Sequence, residues 1–295
     1  MSSLHPPLRA LVLALTLCSL LALSACGTEP NGQGTTSVYA DAQGPAVIGT
    51  DSSAESRVMA ALYGELLTAA GVEVRTATTV YASPVDTARA VVEGEIGLAP
   101  AYESTLLRAL PGGQTMPGDM AATLSMALPP GIVALPPAAA ERGVVLAVTR
   151  ATARRHGLSG LTDLGGTGGR LTLGGSASGD PDAPTAGTLK KAYGVTLTPA
   201  DTSATADVLV LRGTDPVIAR DHLVVLSDPD EVVPPEHVFP LAAAPYAGLA
   251  ARKALARVNS ELTTGQLAAL TSSVAAGETP ARAARNWLRS EGLLG

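Results

Sequence analysis

The sequence is short of aromatic residues, with one Trp, one Phe and six Tyr in 295 residues. Single-stranded nucleic acid is bound by stacking its bases on aromatic side chains, so the shortage argues against that mode. Basic residues are also in deficit: 20 Lys and Arg stand against 26 Asp and Glu, for a formal net charge of −6. A phosphate backbone requires a basic surface, and we therefore predict that nucleic acid is not a partner.

Cysteine and histidine are almost as rare, with two Cys and four His. Cys18 lies inside an apolar N-terminal run and Cys26 lies three residues after its end, so the rest of the chain has no thiol for a disulfide, for nucleophilic catalysis or for a Cys-based metal site. None of the four His has the i, i+4 spacing of a metal pair on a helix. We predict neither a metal nor a cofactor.

The N-terminus has the order of a secretory signal peptide. Arg9 precedes an apolar run over 10–23, which at about 14 residues is too short to span a bilayer. The sequence Leu-Ser-Ala-Cys at 23–26 matches the bacterial lipobox, in which the cysteine is lipidated and becomes the first residue of the mature chain. We predict a signal peptide over 1–25 and lipid on Cys26, which would anchor the protein to the outer face of the cell membrane.

Residues 26–44 continue with Gly, Thr, Ser and Asn and few apolar side chains, which is typical of a flexible tether. After the tether the composition changes. The whole chain is 46% hydrophobic and 16% charged, which is enough apolar surface for a folded core. Short apolar strands then alternate with amphipathic helices, and the chain is helical from Gly248 onward. This order predicts an α/β protein with two lobes, each a mostly parallel sheet flanked by helices.

The first helix is the clearest of these elements. Val58, Leu62 and Leu66 recur at helical spacing and define one apolar face. Asp51 or Ser52 is in position to cap the helix, and Glu55 follows Ser52 by three residues, as in a capping box. In folds of this kind ligands bind at the carboxyl ends of the strands, just before such helices.

Two glycine-rich motifs invite functional interpretations that their surroundings do not favour. Gly175–Gly179 fits the G-x-S-x-G pattern of serine hydrolases, but residues 180–184 separate it from the next helix, whereas a nucleophile elbow turns directly into one. Gly165–Gly169 lacks the Lys-Ser/Thr ending of a phosphate-binding loop. We predict that the protein is not an enzyme.

Several segments, in collinear order, resemble the osmoprotectant substrate-binding proteins of ABC importers, the glycine betaine, choline and carnitine type. The segments are Ile48–Glu55, Leu62–Leu67, Gly94–Leu107, Val145–Val148, His156–Leu164, Thr214–Pro235 and the C-terminal helices, and together they extend over about Ala46 to Leu294. The resemblance implies a type II periplasmic-binding-protein-like fold that closes on a small solute and presents it to permease and ATPase subunits. It also implies two crossings between lobes, near Leu135 and Pro240, with lobe 1 formed by 45–135 plus 240–295 and lobe 2 by 136–239.

In that family the quaternary ammonium group of the ligand usually sits in an aromatic cage, where cation–π attraction holds it. Here the cage positions differ: Ala99, Val144 and Glu236 stand where the family has aromatic residues, and Ser52-Ser53 replaces an Asn-Phe pair. An arginine expected before the helix at 185–193 is also missing. We therefore predict weak or absent binding of glycine betaine.

The candidate ligand-binding residues lie at strand ends or at positions that match the family's pocket, and they are Thr50, Asp51, Tyr102, Thr214, Asp215 and Glu236. Three interpretations remain open. The carboxylates Asp51 and Glu236 pair with an ordinary amine or another cation; a sparse cage of Tyr102 with Tyr81, Tyr246 or Phe239 still takes a quaternary amine; or the scaffold has lost solute binding and acts as a structural or interaction lipoprotein. Asp215 has an alternative role as the cap of the segment that begins at Pro216.

Overall fold

The computed structural model describes residues 44–111, 120–169, 171–200 and 205–295. The strands are β1 (Ala46–Asp51), β2 (Val74–Tyr81), β3 (Leu98–Tyr102), β4 (Ile132–Ala134), β5 (Val144–Val148), β6 (Thr172–Gly174), β7 (Thr198–Pro199), β8 (Val208–Arg212), β9 (Val224–Val225) and β10 (Val238–Ala243). The helices are α1 (Ala54–Ala69), α2 (Pro84–Glu93), α3 (Glu103–Ala109), α4 (Met120–Ala127), α5 (Arg150–His156), α6 (Ala186–Tyr193), α7 (Pro216–Arg220), α8 (Leu249–Glu261), α9 (Thr264–Ala275) and α10 (Pro280–Ser290). The predicted signal peptide and Cys26 lie outside the described residues, as does the tether except for Gly44.

The strands form two five-stranded sheets, which we use to define lobe 1 and lobe 2. The order in lobe 1 is β2-β1-β3-β10-β4, and in lobe 2 it is β7-β6-β8-β5-β9. In lobe 1, β1 pairs in parallel with β2 and β3, while β10 is antiparallel to β3 and β4. In lobe 2, β6 is parallel to β7 and β8, while β5 is antiparallel to β8 and β9. The predicted two-lobed α/β fold is confirmed. The sheets are mixed rather than mostly parallel, because β5 and β10, the strands that follow the two crossings, enter antiparallel to their neighbours.

Helix α1 is the centre of the lobe 1 core. Its predicted apolar face is fully buried and packs against the C-terminal helices α8, α9 and α10. Leu62 and Leu66 on this face meet a cluster that includes Leu255 and Trp287. Each fully buried leucine contributes about 2 kcal/mol to folding, so α1 and the three C-terminal helices stabilise each other.

The cap of α1 differs from the prediction by one residue. The Ser53 side chain, and not Asp51 or Ser52, accepts the hydrogen bond from the Ser56 backbone N–H at 3.1 Å. Asp51 instead accepts from the Ser53 backbone N–H at 2.7 Å, which fixes the turn between β1 and α1. A capping box requires the acidic residue to lie three positions after the cap, and Glu55 lies only two after Ser53. The Glu55 side chain therefore does not bond back to the cap, and it accepts a hydrogen bond from Thr214 instead.

Lobe 2 has a smaller core around β5, β8 and α6, with Leu146, Val208 and Leu189 fully buried. Gly175 follows β6 where the chain passes directly over β8. A Cβ atom at this position would lie 2.1 Å from the Val210 carbonyl oxygen, so only glycine fits. The residues after it form a turn and not a helix. The glycine of the G-x-S-x-G match is thus explained by close packing of the backbone, as expected for a chance match.

The two crossings run side by side. The Leu135 N–H donates to the Pro240 carbonyl at 2.9 Å, the Ala138 N–H to Val238 at 2.8 Å, and the Arg142 N–H to Glu236 at 3.1 Å. The crossings therefore form a short hydrogen-bonded ribbon between the lobes. In the described ranges no helix is both long enough and apolar enough to cross a membrane.

Candidate ligand-binding cleft

The carboxyl ends of β1 and β3 face the carboxyl ends of β6 and β8 across a cleft between the lobes. The Thr214 hydroxyl, after β8, donates to Glu55 Oε2 at 2.7 Å. A second bond crosses the cleft from lobe 1 to lobe 2, where the Ser104 hydroxyl donates to Asp182 at 3.0 Å. Arg108 Nη1 pairs with the same carboxylate at 2.5 Å. These bonds join the lobes at the place where α/β folds of this kind bind ligands.

Glu236 is the central charged residue of the cleft, although its side chain is only 1% exposed. Its carboxylate accepts from the Ser104 hydroxyl at 3.0 Å and from both the backbone N–H, at 3.1 Å, and the hydroxyl of Thr105. Arg212 Nη1 from lobe 2 lies 3.0 Å away. Burial acts to raise the pKa of Glu236, but the charge of Arg142, the Thr105 hydrogen bond and the charge of Arg212 together hold it below its usual value. Glu236 is therefore an ionised group that already has partners within the protein.

Arg142 places a cation on the candidate aromatic residue. Its guanidinium carbon lies 4.2 Å from the centre of the Tyr102 ring, within the range of a cation–π interaction. Tyr102 itself is fully buried at the end of β3. Burial raises the pKa of the Tyr102 hydroxyl well above its ordinary value, and the nearby charge of Glu55 raises it further while that of Arg142 lowers it. The position that a ligand's ammonium group would take on this ring is filled by a side chain of the protein.

The other predicted residues fall into two groups. Thr50 and Asp51 end β1 at the carboxyl edge of the lobe 1 sheet, and both are buried. Thr50 also lines a pocket of lobe 1 with Arg57 and Val80. Asp215 caps α7 by accepting from the Val217 backbone N–H at 3.0 Å, and it receives a second bond from the Ser176 hydroxyl at 3.1 Å. This confirms the alternative role of Asp215 as a helix cap.

The remaining aromatic candidates do not surround Tyr102. Phe239 is buried in the second hydrophobic cluster of lobe 1. Tyr246 packs against Gly97, at the opposite end of β3 from Tyr102. Tyr81 ends β2, where its hydroxyl donates to Glu95 at 3.3 Å. Since these rings are dispersed over the lobe, the structure does not support a sparse cage built from them.

Sequence reasoning missed most of the charged residues of the cleft. Arg142 and Arg212 were not candidates, and Asp180 and Asp182 were noticed only because they separate the G-x-S-x-G match from the next helix. Asp180 pairs with Arg212, as Asp182 does with Arg108. A usable signal was the excess of carboxylates in the segments that follow strands, since buried carboxylates require cationic partners.

His237 ties the crossings to lobe 1. Its Nδ1 lies 2.9 Å from Glu103 Oε2, on α3, and its Nε2 lies 3.0 Å from Glu141 Oε1, on the first crossing. The hydrogen bonds that His237 donates to these two carboxylates raise its pKa from 6.5 to about 10. The imidazole is therefore charged throughout the neutral range.

His237→Gln is expected to lower the free energy of unfolding by about 1 kcal/mol at pH 6. The folded-state pKa is raised, so the contribution of His237 is complete below pH 6.5 and is lost as the pH rises to about 10. Urea unfolding of both proteins at several pH values measures this, with His156→Gln, at the end of α5, as the control. A stability difference between His237→Gln and wild type that stays constant from pH 6 to pH 10 would contradict the assignment.

The fold and the cleft together define a class of protein. Two α/β lobes, joined by two crossing segments and lined with polar groups where their strands end, form the architecture of binding proteins that close on a small solute. More specifically, the chain belongs to the OpuAC family, the substrate-binding domain of ABC-type glycine betaine transport systems, whose family model matches residues 44–290. It is thus a transport substrate-binding protein and not an enzyme, and the predicted family is confirmed.

Solved structures agree with this assignment of the fold. A glycine betaine/carnitine/choline ABC transporter structure superposes with a TM-score of 0.74 at 19% identity, covering 85% of this chain and 99% of that one. Apo YehZ from Escherichia coli gives a TM-score of 0.65 at 20% identity, covering 85% and 100%. Lactococcal OpuAC in its closed, glycine betaine-bound conformation gives 0.52 at 16% identity, covering 85% and 97%. At these identities the likeness shows the fold alone. No curated protein matches the sequence.

Proposed function

We propose that this chain is a lipid-anchored, extracytoplasmic binding protein that captures a small solute and delivers it to the permease and ATPase subunits of an ABC importer. The observation that carries the proposal is the cleft, in which strand ends of both lobes meet through the Thr214–Glu55 and Ser104–Asp182 hydrogen bonds. Solute binding would favour this closed arrangement over an open one and so signal occupancy to the permease.

We keep the proposed lobes, 45–135 plus 240–295 and 136–239, except that residues 238 and 239 join lobe 1, because β10 of its sheet begins at Val238. The hinge lies in the paired crossings. Within the cleft, we propose that the solute contacts Thr50, Asp51, Tyr102 and Thr214 directly. The two remaining candidates have partners within the protein that indicate a supporting role: Asp215 caps α7, and Glu236 forms ion pairs with Arg142 and Arg212.

A thermal-shift screen of the purified protein tests solute binding. The panel contains glycine betaine, choline, carnitine, amino acids and polyamines. A solute present at 100 times its Kd stabilises the folded state by about 2.7 kcal/mol and raises the Tm accordingly. The absence of any shift at millimolar concentrations across the panel would contradict the proposal.

Lipid anchoring is tested through the two cysteines of the chain. Cys26→Ala is expected to abolish labelling by radioactive palmitate and to move the protein from the membrane fraction to the soluble fraction, because the proposed acceptor is lost. Cys18→Ala is the matched control: it removes the other thiol, inside the predicted signal peptide, and should leave labelling unchanged. Labelling that persists in Cys26→Ala would refute the anchor.

One observation favours a second function. The charged groups of the cleft already pair with one another, and Arg142 already lies on Tyr102. A cleft filled by its own side chains also suits a scaffold that acts as a structural or interaction lipoprotein. In that case the solute screen is expected to remain negative while the protein stays membrane-anchored.

A further inference from the structure

Seven buried side-chain atoms of the described residues have no hydrogen-bond partner, and three of them belong to residues at or just after the carboxyl ends of β1 and β3: Oδ2 of Asp51, Oε1 of Glu55 and the hydroxyl of Tyr102. These residues are only 3%, 8% and 1% exposed. Asp51 and Tyr102 end the neighbouring parallel strands β1 and β3, and Glu55 lies in the first turn of α1. Buried carboxylate oxygens are nearly always paired, so an unpaired set at one sheet edge indicates groups kept for a ligand.

Glu55 faces the cleft. Its Oε2 receives the hydrogen bond from Thr214, across the cleft in lobe 2. The cation nearest to its Oε1 is Arg142 Nη1 at 3.9 Å, which is too far for a hydrogen bond. Glu55 and Arg142 both shift the pKa of the Tyr102 hydroxyl, through their charges and as weak hydrogen-bond partners, although no contact of this hydroxyl has the geometry of a full hydrogen bond. The unpaired oxygen therefore points to the place where both lobes meet the tyrosine.

Carboxylates outnumber guanidinium groups in the cleft. The carboxylates paired there are Glu55, Asp180, Asp182 and Glu236, with Asp51 just before α1 as a fifth, and the guanidinium groups are Arg108, Arg142 and Arg212. The shortest ion pairs of the arginines are to Asp180, Asp182 and Glu236. Asp51 and Glu55 are the carboxylates that these short pairs leave out, so the remaining charge of the cleft attracts a cation.

The type of cation follows from what the unpaired atoms need. A quaternary ammonium group has no N–H, so it cannot donate to Asp51 or Glu55. Its usual site, the face of an aromatic ring, is here covered by Arg142 on Tyr102. A primary or secondary ammonium group has the same charge, supplies N–H donors to the carboxylates, and does not need the ring.

We propose that the solute carries a primary or secondary ammonium group, whose N–H groups donate to Asp51 Oδ2 and Glu55 Oε1. This inference rests on the proposed function as a solute-binding protein, and it names the chemical class of the solute. The aromatic cage of the resembled family recognises a cation by its charge, whereas this site recognises a cation that donates hydrogen bonds.

The test is isothermal titration calorimetry with two methylation series. One runs from ethanolamine through its N-methyl and N,N-dimethyl derivatives to choline, and the other from glycine through sarcosine and dimethylglycine to glycine betaine. Each step removes one N–H and keeps the positive charge. A charge-assisted hydrogen bond changes affinity by about tenfold or more, so in the series that binds, the primary amine is expected to bind at least about tenfold more tightly than the quaternary one.

Two variants connect this preference to the residues. Asp51→Asn and Glu55→Gln keep the side-chain size and remove the negative charge, and each is expected to reduce the preference for the primary amine. Asp221→Asn, which removes an exposed carboxylate paired with Arg220 on the surface, is the matched control and should leave the preference unchanged. The Tm of each variant checks that it is folded, and the wild-type series stands independently of the variants.

The possible failures are distinguishable. Choline or glycine betaine binding as tightly as its primary amine, or more tightly, overturns this inference and supports the proposed solute-binding function. A primary-amine preference that Asp51→Asn and Glu55→Gln both leave intact overturns the assigned residues. If no member of either series binds and the broader thermal-shift panel is also negative, the inference and the proposed function both fail.

Discussion

Glu236→Gln is expected to lower the free energy of unfolding by about 3 kcal/mol, the effect of removing one partner of a buried ion pair. The Glu236 side chain is 1% exposed, and its carboxylate lies 3.0 Å from Arg212 Nη1 and 3.7 Å from Arg142 Nε. Glutamine has nearly the same size but no charge, so both guanidinium groups would lose a buried counter-ion. The start of α3 would also lose a charged acceptor for its Thr105 N–H.

Chemical denaturation with urea measures this change, with the slope of the transition compared between variants to confirm that the unfolded states are alike. Asp221→Asn is again the control, because it removes one carboxylate from an exposed pair and should change stability by less than about 0.5 kcal/mol. A transition midpoint for Glu236→Gln equal to that of the control would show that Glu236 is not the central charge of the cleft.

Arg142→Ala is expected to increase the affinity for choline about 30-fold. The guanidinium now lies 4.2 Å from the centre of the Tyr102 ring, and its removal uncovers that ring for the ligand's own cation. A desolvated cation–π contact contributes about 2 kcal/mol, which corresponds to that factor in Kd. The unpaired oxygen of Glu55 would attract the cation as well.

Arg108→Ala separates the effect of removing a positive charge from the effect of uncovering the Tyr102 ring. It removes the same charge from the same cleft, where Arg108 pairs with Asp182, but leaves Arg142 on the tyrosine. We expect its choline affinity to change by less than about fivefold, since a partly exposed ion pair contributes about 1 kcal/mol or less. Equal changes in the two variants, measured by calorimetry, would mean that the ring is not part of the binding surface.

The fold was predictable because its signals are local. The apolar face of α1 and the helical character of the chain from Gly248 onward appear as periodic patterns within single segments, and both are observed. The antiparallel direction of β5 and β10 was not predictable in this way. Strand direction depends on how each crossing returns to its sheet, and no local pattern encodes it.

The site was predictable where strand ends locate it and unpredictable where charges pair across it. Thr50 and Thr214 follow from the rule that ligands bind at the carboxyl ends of strands, and Asp51 and Tyr102 follow from the family resemblance. The partners of Glu236 do not, since Thr105 is 131 residues away in the sequence. Asp182 likewise lies 78 residues from Ser104. Such pairs exist only after both lobes have formed, and the cap at Ser53 shows that even a one-residue shift changes where Glu55 points.

The ribbon formed by the two crossings limits how the cleft can open. Its strands are bonded to each other through Leu135–Pro240, Ala138–Val238 and Arg142–Glu236. Two separate linkers would let the lobes slide and twist independently, whereas a bonded pair bends as one unit about a single axis. The motion then has one main degree of freedom, so a single pair of spectroscopic labels, one on each lobe, is expected to report the whole transition between open and closed.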